Sequence, residues 1–311
     1  MPLLSICIPT YNRAKTLQKS LETLVTQQVF QDTCDVEIII SDNASTDNTK
    51  EIALSYTAQY GDKIKYFCNP QNLNDANFAV ALKRASGEFL KLSNDTLLYQ
   101  PQMLEKFVAL IKKHSQTKPV IFFSNNPKHA PEQTTSSLDE FVKTASFQIT
   151  WIGGFGIWKS DLDNYFTLLK EYSQTKLPQA ATLLKMTADK KQAVISGGLF
   201  CSPAFPSLKG DYNLSAIFIK NYLAFYEEYL QTKQLSKKIY EHEKWLVLKK
   251  HVLPRQFNLK HHYQYDKSDF YLYTAPYHKN PKFYFLIAVT LLKKLKYTLK
   301  YFIKKTLDNR N

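Results

Sequence analysis

Through the first third of the chain, short apolar runs alternate with segments of helical period, and three of those runs end in polar clusters. Leu3 to Ile8 runs into Pro9, Thr10, Tyr11, Asn12 and Arg13. Val36 to Ile40 runs into Ser41, Asp42, Asn43, Ala44, Ser45, Thr46 and Asp47, and Phe89 to Leu92 runs into Ser93, Asn94, Asp95 and Thr96. Such runs followed by amphipathic segments read as parallel strands joined by crossover helices. The spacing predicts a helix over 14–27, with Leu17, Leu21 and Leu24 on one face, and another over 48–60, capped by Asp47 or Thr46. Further helices are predicted over 74–85 and from Pro101 to His114, with strands over 64–67 and 119–123. Ligands of open α/β sheets bind just past the carboxyl ends of the strands. The three clusters are therefore expected to converge on one pocket.

Beyond Phe123 the alternation weakens. The stretch from Asn125 to Ser137 is rich in Asn, Pro, Thr and Ser and reads as a loop or a domain seam. Leu138 to Ala145 reads as a helix, and Ile149 to Trp158 as a strand whose Gly153, Gly154 and Gly156 allow close backbone approach. Trp151, Phe155 and Trp158 beside these glycines suit a wall for a sugar ring or ordinary core packing equally. Ser160 is placed to cap a helix through Lys170, Pro178 to start another, and Ala193 to Ile195 to form a short strand. From Asp211 to Val252 the chain is mostly helical in pattern, aromatic and basic, and there are no internal repeats.

The stretch Pro281 to Leu307 differs again. Phe283 to Leu292 is almost wholly apolar, and Leu295, Leu299, Phe302 and Ile303 continue a helical stripe beside Lys293, Lys294, Lys296, Lys300, Lys304 and Lys305. The apolar part is too short to span a bilayer and too basic to bury. It suits a helix lying in an anionic membrane surface rather than one docked on the protein. The expected organisation is an α/β domain over 1–200, with a distinct later part from about 125, a helical extension over 201–278 and the basic amphipathic helix over 279–311.

Composition narrows the partners. The net charge of +14 calls for an anionic one, and nine Lys or Arg against a single acid, Asp308, lie from Lys279 onward. Because that basic density sits on an apolar stripe while acids occupy the strand ends, lipid is expected rather than nucleic acid. Residues 1–150 contain only Gly61 and Gly87, which excludes a glycine-rich phosphate loop. Cys7, Cys34, Cys68 and Cys201 are scattered, arguing against structural zinc and a disulfide framework and for a reducing, cytoplasmic setting. The first apolar run has no basic segment before it and reads as a strand, not a signal peptide.

The clusters carry the candidate chemistry. Backbone groups of the Pro9–Asn12 turn and the Tyr11 ring suit a nucleoside, and Arg13 suits a phosphate, although the same residues form ordinary turns. Asp47 is explained by capping, whereas Asp42, directly at a strand end, is a ligand candidate. Asp95 at the fourth strand end is a candidate for Mg²⁺ or Mn²⁺, which prefer oxygen ligands and bridge to a diphosphate.

Taken together, Ser5–Arg13, Ser41–Asp47, Asn72–Asn77, Ser86–Phe89 and Leu92–Asp95 resemble, in content and order, the signatures of family 2 glycosyltransferases, and within them the abequosyltransferase-like subgroup. The resemblance is specific over about residues 3–115, weaker to about 200 and absent afterwards. It implies an α/β fold of the GT-A type, Rossmann-like with a mostly parallel sheet and crossover helices, followed by a helical C-terminal region. It implies transfer of a sugar from a nucleotide-diphosphate sugar donor to a hydroxyl of a lipid-linked or oligosaccharide acceptor, in a growing surface glycan such as lipopolysaccharide or capsule. By motif position, Pro9, Thr10, Tyr11, Asn12, Arg13, Asp42, Asn77, Ser93 and Asn94 would contact the donor, and Asp95 would be the catalytic, metal-binding carboxylate of the DxD-type motif.

The pattern departs from the family at two places. Asn94 and Thr96 flank a single acid where the family has two or three. The acceptor-side Glu-Asp pair has no counterpart, because the corresponding helix begins Leu177, Pro178, Gln179 and an amide accepts no proton from the acceptor hydroxyl. Asp161 and Asp163 are the nearby candidates for the base, but both also suit the first turn of a helix. The competing expectation is a catalytically inert, membrane-attached scaffold that keeps the nucleotide-binding fold.

Overall fold

The structure is a computed structural model that describes residues 1–204, 212–259 and 265–308. Asp211 lies outside them, as do the side chains of Phe302, Ile303, Lys304 and Lys305. The chain divides into two compact units, Met1–Phe205 and Pro206–Asn311.

In the first unit, strands β1 (Leu4–Thr10), β2 (Val36–Asp42), β3 (Ile64–Cys68) and β4 (Phe89–Leu92) alternate with helices α1 (Ala14–Val25), the short α2 (Gln28–Asp32), α3 (Thr49–Tyr60) and α4 (Asn77–Arg84). After β5 (Leu97–Tyr99) come α5 (Met103–His114), β6 (Val120–Phe123), β7 (Gln133–Thr135), α6 (Leu138–Ala145), β8 (Gly156–Trp158), α7 (Leu162–Glu171), α8 (Pro178–Lys190), β9 (Ala193–Ser196) and β10 (Cys201–Pro203). The main sheet has the order β3-β2-β1-β4-β8, with the first four parallel and β8 antiparallel to β4. Helices cover the sheet, so Leu4, Ile6, Cys7, Ile8, Ile38, Ile39 and Ile40 are buried on both its faces, as a parallel sheet requires. Burial pushes the Cys7 thiol far above its ordinary range, so it is inert packing.

One buried carboxylate ties the amino-terminal edge of this sheet together. Glu37 on β2 accepts from Ser5 Oγ at 2.6 Å, Lys65 Nζ at 2.8 Å, Ser86 N and Oγ at 2.6 and 2.8 Å, and Gly87 N at 3.1 Å. A Cβ on Gly87 would stand 2.9 Å from Ser5 N and 2.5 Å from Ser5 Oγ, so only glycine fits at this close approach.

Several expectations need correction. Asp47 does not cap α3 in the usual way: Asn48 is the cap residue, and Asp47 accepts from Thr49 N at 3.1 Å and from Ala14 N, at the start of α1, at 3.1 Å. The stretch Asn125 to Ser137 is not a seam, since β7 within it pairs with β9 inside the first unit. The strand over 119–123 joins β9 in a separate β6-β9-β7 sheet rather than the main one. Of Ile149 to Trp158 only the last three residues are strand; the glycines before them sit in tight turns. Asp161, not Ser160, precedes α7.

The second unit is helical. Its aromatic core includes Tyr222 and Tyr226, whose hydroxyls link at 2.6 Å and pass on to buried Glu243 at 2.9 Å. The final helix spans Pro281–Asp308; Phe283, Leu286 and Thr290 are buried, and every position from 291 to 300 is exposed. No helix among the described residues is long and apolar enough to cross a membrane.

Candidate active site at the strand ends

Parallel register brings the predicted clusters to one edge. Thr10 of β1 faces Asp42 of β2, and Asp42 faces Cys68 of β3. Asn43 N donates to Thr10 O at 2.9 Å, and Ser93 N donates to Cys7 O at 2.8 Å, so the chain leaving β4 stays beside β1. Across that seam Thr10 Oγ1 donates to Asp95 Oδ2 at 2.9 Å, and both residues are buried. Two residues far apart in sequence thus meet in one hydrogen bond at the carboxyl ends of β1 and β4.

Asp42 is held on both oxygens. Oδ1 accepts from Ser45 N at 3.0 Å and from Ser45 Oγ at 2.5 Å, and Oδ2 accepts from Tyr66 Oη at 2.8 Å. Burial and the Asp42 carboxylate push the Tyr66 hydroxyl far above its ordinary range, so Tyr66 remains a donor. Tyr66 was not foreseen; its signal was its place on β3 opposite Ile40, two residues before Asp42.

The turn after β1 is built around Asn12, whose φ is 50°. Its Oδ1 accepts from Thr46 N at 2.7 Å, and its N donates to Ser45 Oγ at 2.8 Å, clamping the β1 and β2 turns together. Tyr11 is exposed at the rim. Pro9 is within β1, facing Ser41. Arg13 precedes α1 and lines an open cleft of about 600 Å³ with Lys15, Gln18, Asp47 and Asn48.

Asn77 is fully engaged in structure. Oδ1 accepts from Ser41 Oγ at 2.6 Å and Asn69 Nδ2 at 2.9 Å, while Nδ2 donates to Ser41 O at 2.8 Å. The Arg84 guanidinium, over the Phe67 ring at 5.0 Å, closes the network through Ser41 Oγ and Asn69 Oδ1, each at 2.8 Å. The position proposed for donor contact therefore braces β2 against the start of α4.

Around Asp95, Ser93 Oγ accepts from Tyr99 Oη at 2.8 Å, while Asn94 Oδ1 is buried with no hydrogen-bond partner. Antiparallel pairing of β5 with β10 holds this loop, and Asn125 clamps β10 by accepting from Phe200 N and Cys201 N and donating to Cys201 O at 3.1 Å. No group of three or more His, Cys, Asp or Glu able to hold a metal occurs among the described residues.

The candidate bases fall elsewhere. Because β8 runs antiparallel to β4 with Trp158 facing Phe89, residues after Trp158 lie at the amino-terminal edge of the sheet, where Lys159 N donates to Glu88 O at 2.8 Å. Asp161 pairs there with Lys190, and Asp163 with Lys83. Both are corrected to structural ion pairs on the edge opposite Asp95. Gln179 of α8 belongs to the other edge: its Nε2 donates to Thr150 O at 2.6 Å, and its Oε1 is buried without a partner. The aromatic wall divides as well. Phe155 and Trp158 are wholly buried, with Trp158 Nε1 donating to Pro119 O at 2.7 Å, and Trp151 packs against the core.

This arrangement has known counterparts. A sequence model described as glycosyl transferase family 2 matches residues 5–164, half of the chain. The chain belongs to glycosyl transferase family 2. Among its relatives, the putative glycosyltransferase EpsE of Bacillus subtilis is 35% identical over 114 residues, 36% of this chain and 40% of EpsE. The abequosyltransferase RfbV of Salmonella typhimurium is 42% identical over 88 residues, 28% of this chain and 26% of RfbV. The chain thus matches less than half the length of these curated members of the family. The mannosyltransferase PcManGT of Pyrobaculum calidifontis, solved with GDP-Man and Mn²⁺, superposes with a TM-score of 0.54 at 16% identity, over 95% of this chain and 86% of its own. The shared architecture is that of GT-A enzymes, α/β with a mostly parallel sheet and a helical region after it.

Proposed function

We propose that the chain transfers a sugar from a nucleotide-diphosphate sugar to a hydroxyl of a growing surface glycan, such as lipopolysaccharide or capsule, carried on a lipid-linked or oligosaccharide acceptor. The observation that carries this reading is the Thr10–Asp95 hydrogen bond beside Asp42, which puts three strand-end clusters on one rim. The family membership and the nucleotide-sugar in the PcManGT structure support it. No observation favours the inert scaffold.

In the proposed reaction the acceptor oxygen bonds to the anomeric carbon as the bond from that carbon to the diphosphate oxygen breaks. The electron pair of that bond leaves with the diphosphate, and the acceptor proton is released to solvent. The Pro9–Asn12 turn, Asp42 and Ser93 frame the nucleoside side. The residues at Asp95 fit a divalent cation: the carboxylate follows directly in the chain on Asn94, whose buried Oδ1 has no hydrogen-bond partner. Asp95 and Asn94 would hold Mn²⁺ or Mg²⁺, which when bound offsets charge on the departing diphosphate. With one carboxylate, the protein supplies less ligand charge than sites with two or three acids, and the affinity for the ion is expected to be low until the diphosphate is present.

The second unit is proposed to rest on the cytoplasmic face of the cell membrane. The helix Pro281–Asp308 exposes Phe285, Leu292, Leu295 and Leu299 beside a row of lysines, the pattern of an interfacial helix. Thermal shift of the full chain against a panel of nucleotide sugars, with and without Mn²⁺, tests the donor reading, since a ligand that binds the folded state raises its apparent stability. A rise for one nucleotide class, followed by sugar release with that donor, is expected. No response to any donor would sink the reading.

A further inference from the structure

The excess positive charge is concentrated in one unit. Pro206–Asn311 holds 20 Lys and Arg against 8 Asp and Glu, which accounts for 12 of the 14 net charges of the chain. Within it lies a cavity of about 210 Å³ between the segment Leu248–Val252 and the final helix, lined by Lys249, Lys250, Lys293, Leu286, Val289 and Tyr297 among others. None of these three lysines has a carboxylate within ion-pair distance among the described residues. Burial, and after it the charge of Lys294 beside Lys293, hold the Lys267 ammonium below its ordinary range. Three cations around an apolar floor want an anion attached to something greasy.

The position of the cavity on the helix says what that is. Leu286, Val289, Lys293 and Tyr297 recur at intervals of three, four and four, forming one flank. Phe285, Leu292, Leu295 and Leu299 recur at intervals of seven, three and four, forming the exposed apolar stripe on the adjacent flank. With the stripe sunk at the acyl boundary of a bilayer, the cavity mouth stands at the level of the headgroups.

We infer that this cavity binds the phosphate of an anionic membrane lipid, with Lys249, Lys250 and Lys293 as its ligands and Leu286 and Val289 against the glycerol and upper acyl chain. The inference rests on the peripheral-membrane reading above and adds a defined headgroup site to it. The source of the phosphate is a bilayer lipid, not a soluble ester, because the cavity opens beside the stripe that would enter the bilayer.

The test is cosedimentation of the full chain with phosphatidylcholine vesicles and with vesicles containing phosphatidylglycerol at three parts in ten. The parent is expected to favour the anionic vesicles. Lys249→Gln, Lys250→Gln and Lys293→Gln together are expected to weaken that binding about a hundredfold. The equal charge change Lys233→Gln, Lys237→Gln and Lys238→Gln is expected to weaken it less than about threefold, and the three pocket lysines changed to Arg are expected to retain it, which guards against misfolding. Equal loss in the two Gln triples would overturn the pocket while leaving the membrane reading intact. Failure of the parent to bind any vesicle would overturn both. A thermal upshift with glycerol phosphate that the pocket triple loses, without loss of vesicle binding, would reassign the site to a soluble phosphate.

Discussion

Lys91 is wholly buried on β4, and among the described residues its ammonium pairs with no carboxylate. Nζ donates to Gly153 O and to Leu92 O and lies 5.2 and 5.0 Å from the Phe107 and Phe123 ring centres. Burial lowers its pKa to about 8, against about 10.4 in an unfolded chain. Between those values the unfolded state binds more protons, so stability rises with pH through that window. Below pH 8 the full penalty applies, about 3 kcal/mol at 1.36 kcal/mol for each pH unit. Lys91→Met keeps the aliphatic stem and sets a thioether near two rings. It removes the penalty and also two hydrogen bonds, worth about 1 kcal/mol each in net stability. The expected result at pH 7 is a variant more stable by about 1 kcal/mol, with a flatter stability profile between pH 8 and 10. Urea unfolding at pH 7 and pH 9.5 measures both. The variant should also lose activity, since Lys91 ties the 152–154 turn to the strand that leads to Asp95. A variant less stable than the parent at pH 7, with its pH slope unchanged, would refute the reasoning.

Two further predictions concern the opposite edge of the sheet. Burial raises the Glu37 carboxyl, but hydrogen bonds from Lys65, Ser5 and Ser86 outweigh it and leave the pKa below its ordinary value, so its contribution is present above about pH 4.3 and lost as pH falls through the lowered pKa. Glu37→Gln should cost about 3 kcal/mol at neutral pH, with the difference from the parent shrinking in acid, as followed by urea midpoints at pH 7 and pH 3.5. Gly87→Ala should cost about 2 kcal/mol by overpacking against Ser5, read as a lowered thermal midpoint; a neutral result would mean that this approach is looser than the geometry states.

Much of the fold was legible because the main strands are buried on both faces and so read as unbroken apolar runs; Leu4–Thr10 and Val36–Asp42 extend only slightly past the predicted ends. The convergence of Thr10, Asp42 and Asp95 was legible because parallel topology forces it. What escaped depends on distant partners. Leu97–Tyr99 is three residues long and becomes a strand only by pairing with Cys201–Pro203, and Gln133–Thr135, polar throughout, looks like a turn until β9 lies beside it. Asp161 and Asp163 had the right chemistry for a base, yet the antiparallel course of β8 carries them to the wrong edge. Asn77 matched a donor motif, but its amide is taken up by Ser41 and Asn69.

The central claim is that the ends of β1, β2 and β4 form a single diphosphate site around Asp95. It is tested most directly by titrating the donor chosen by thermal shift into the parent and into Asp95→Asn, calorimetrically, with and without Mn²⁺. Asn retains an oxygen to accept from Thr10, so the fold should be kept while the ligand charge is lost. Mn²⁺ should tighten donor binding to the parent at least about tenfold, a gain of about 1.4 kcal/mol, and should have no effect on the variant. The same Mn²⁺-dependent gain in both proteins would contradict the account.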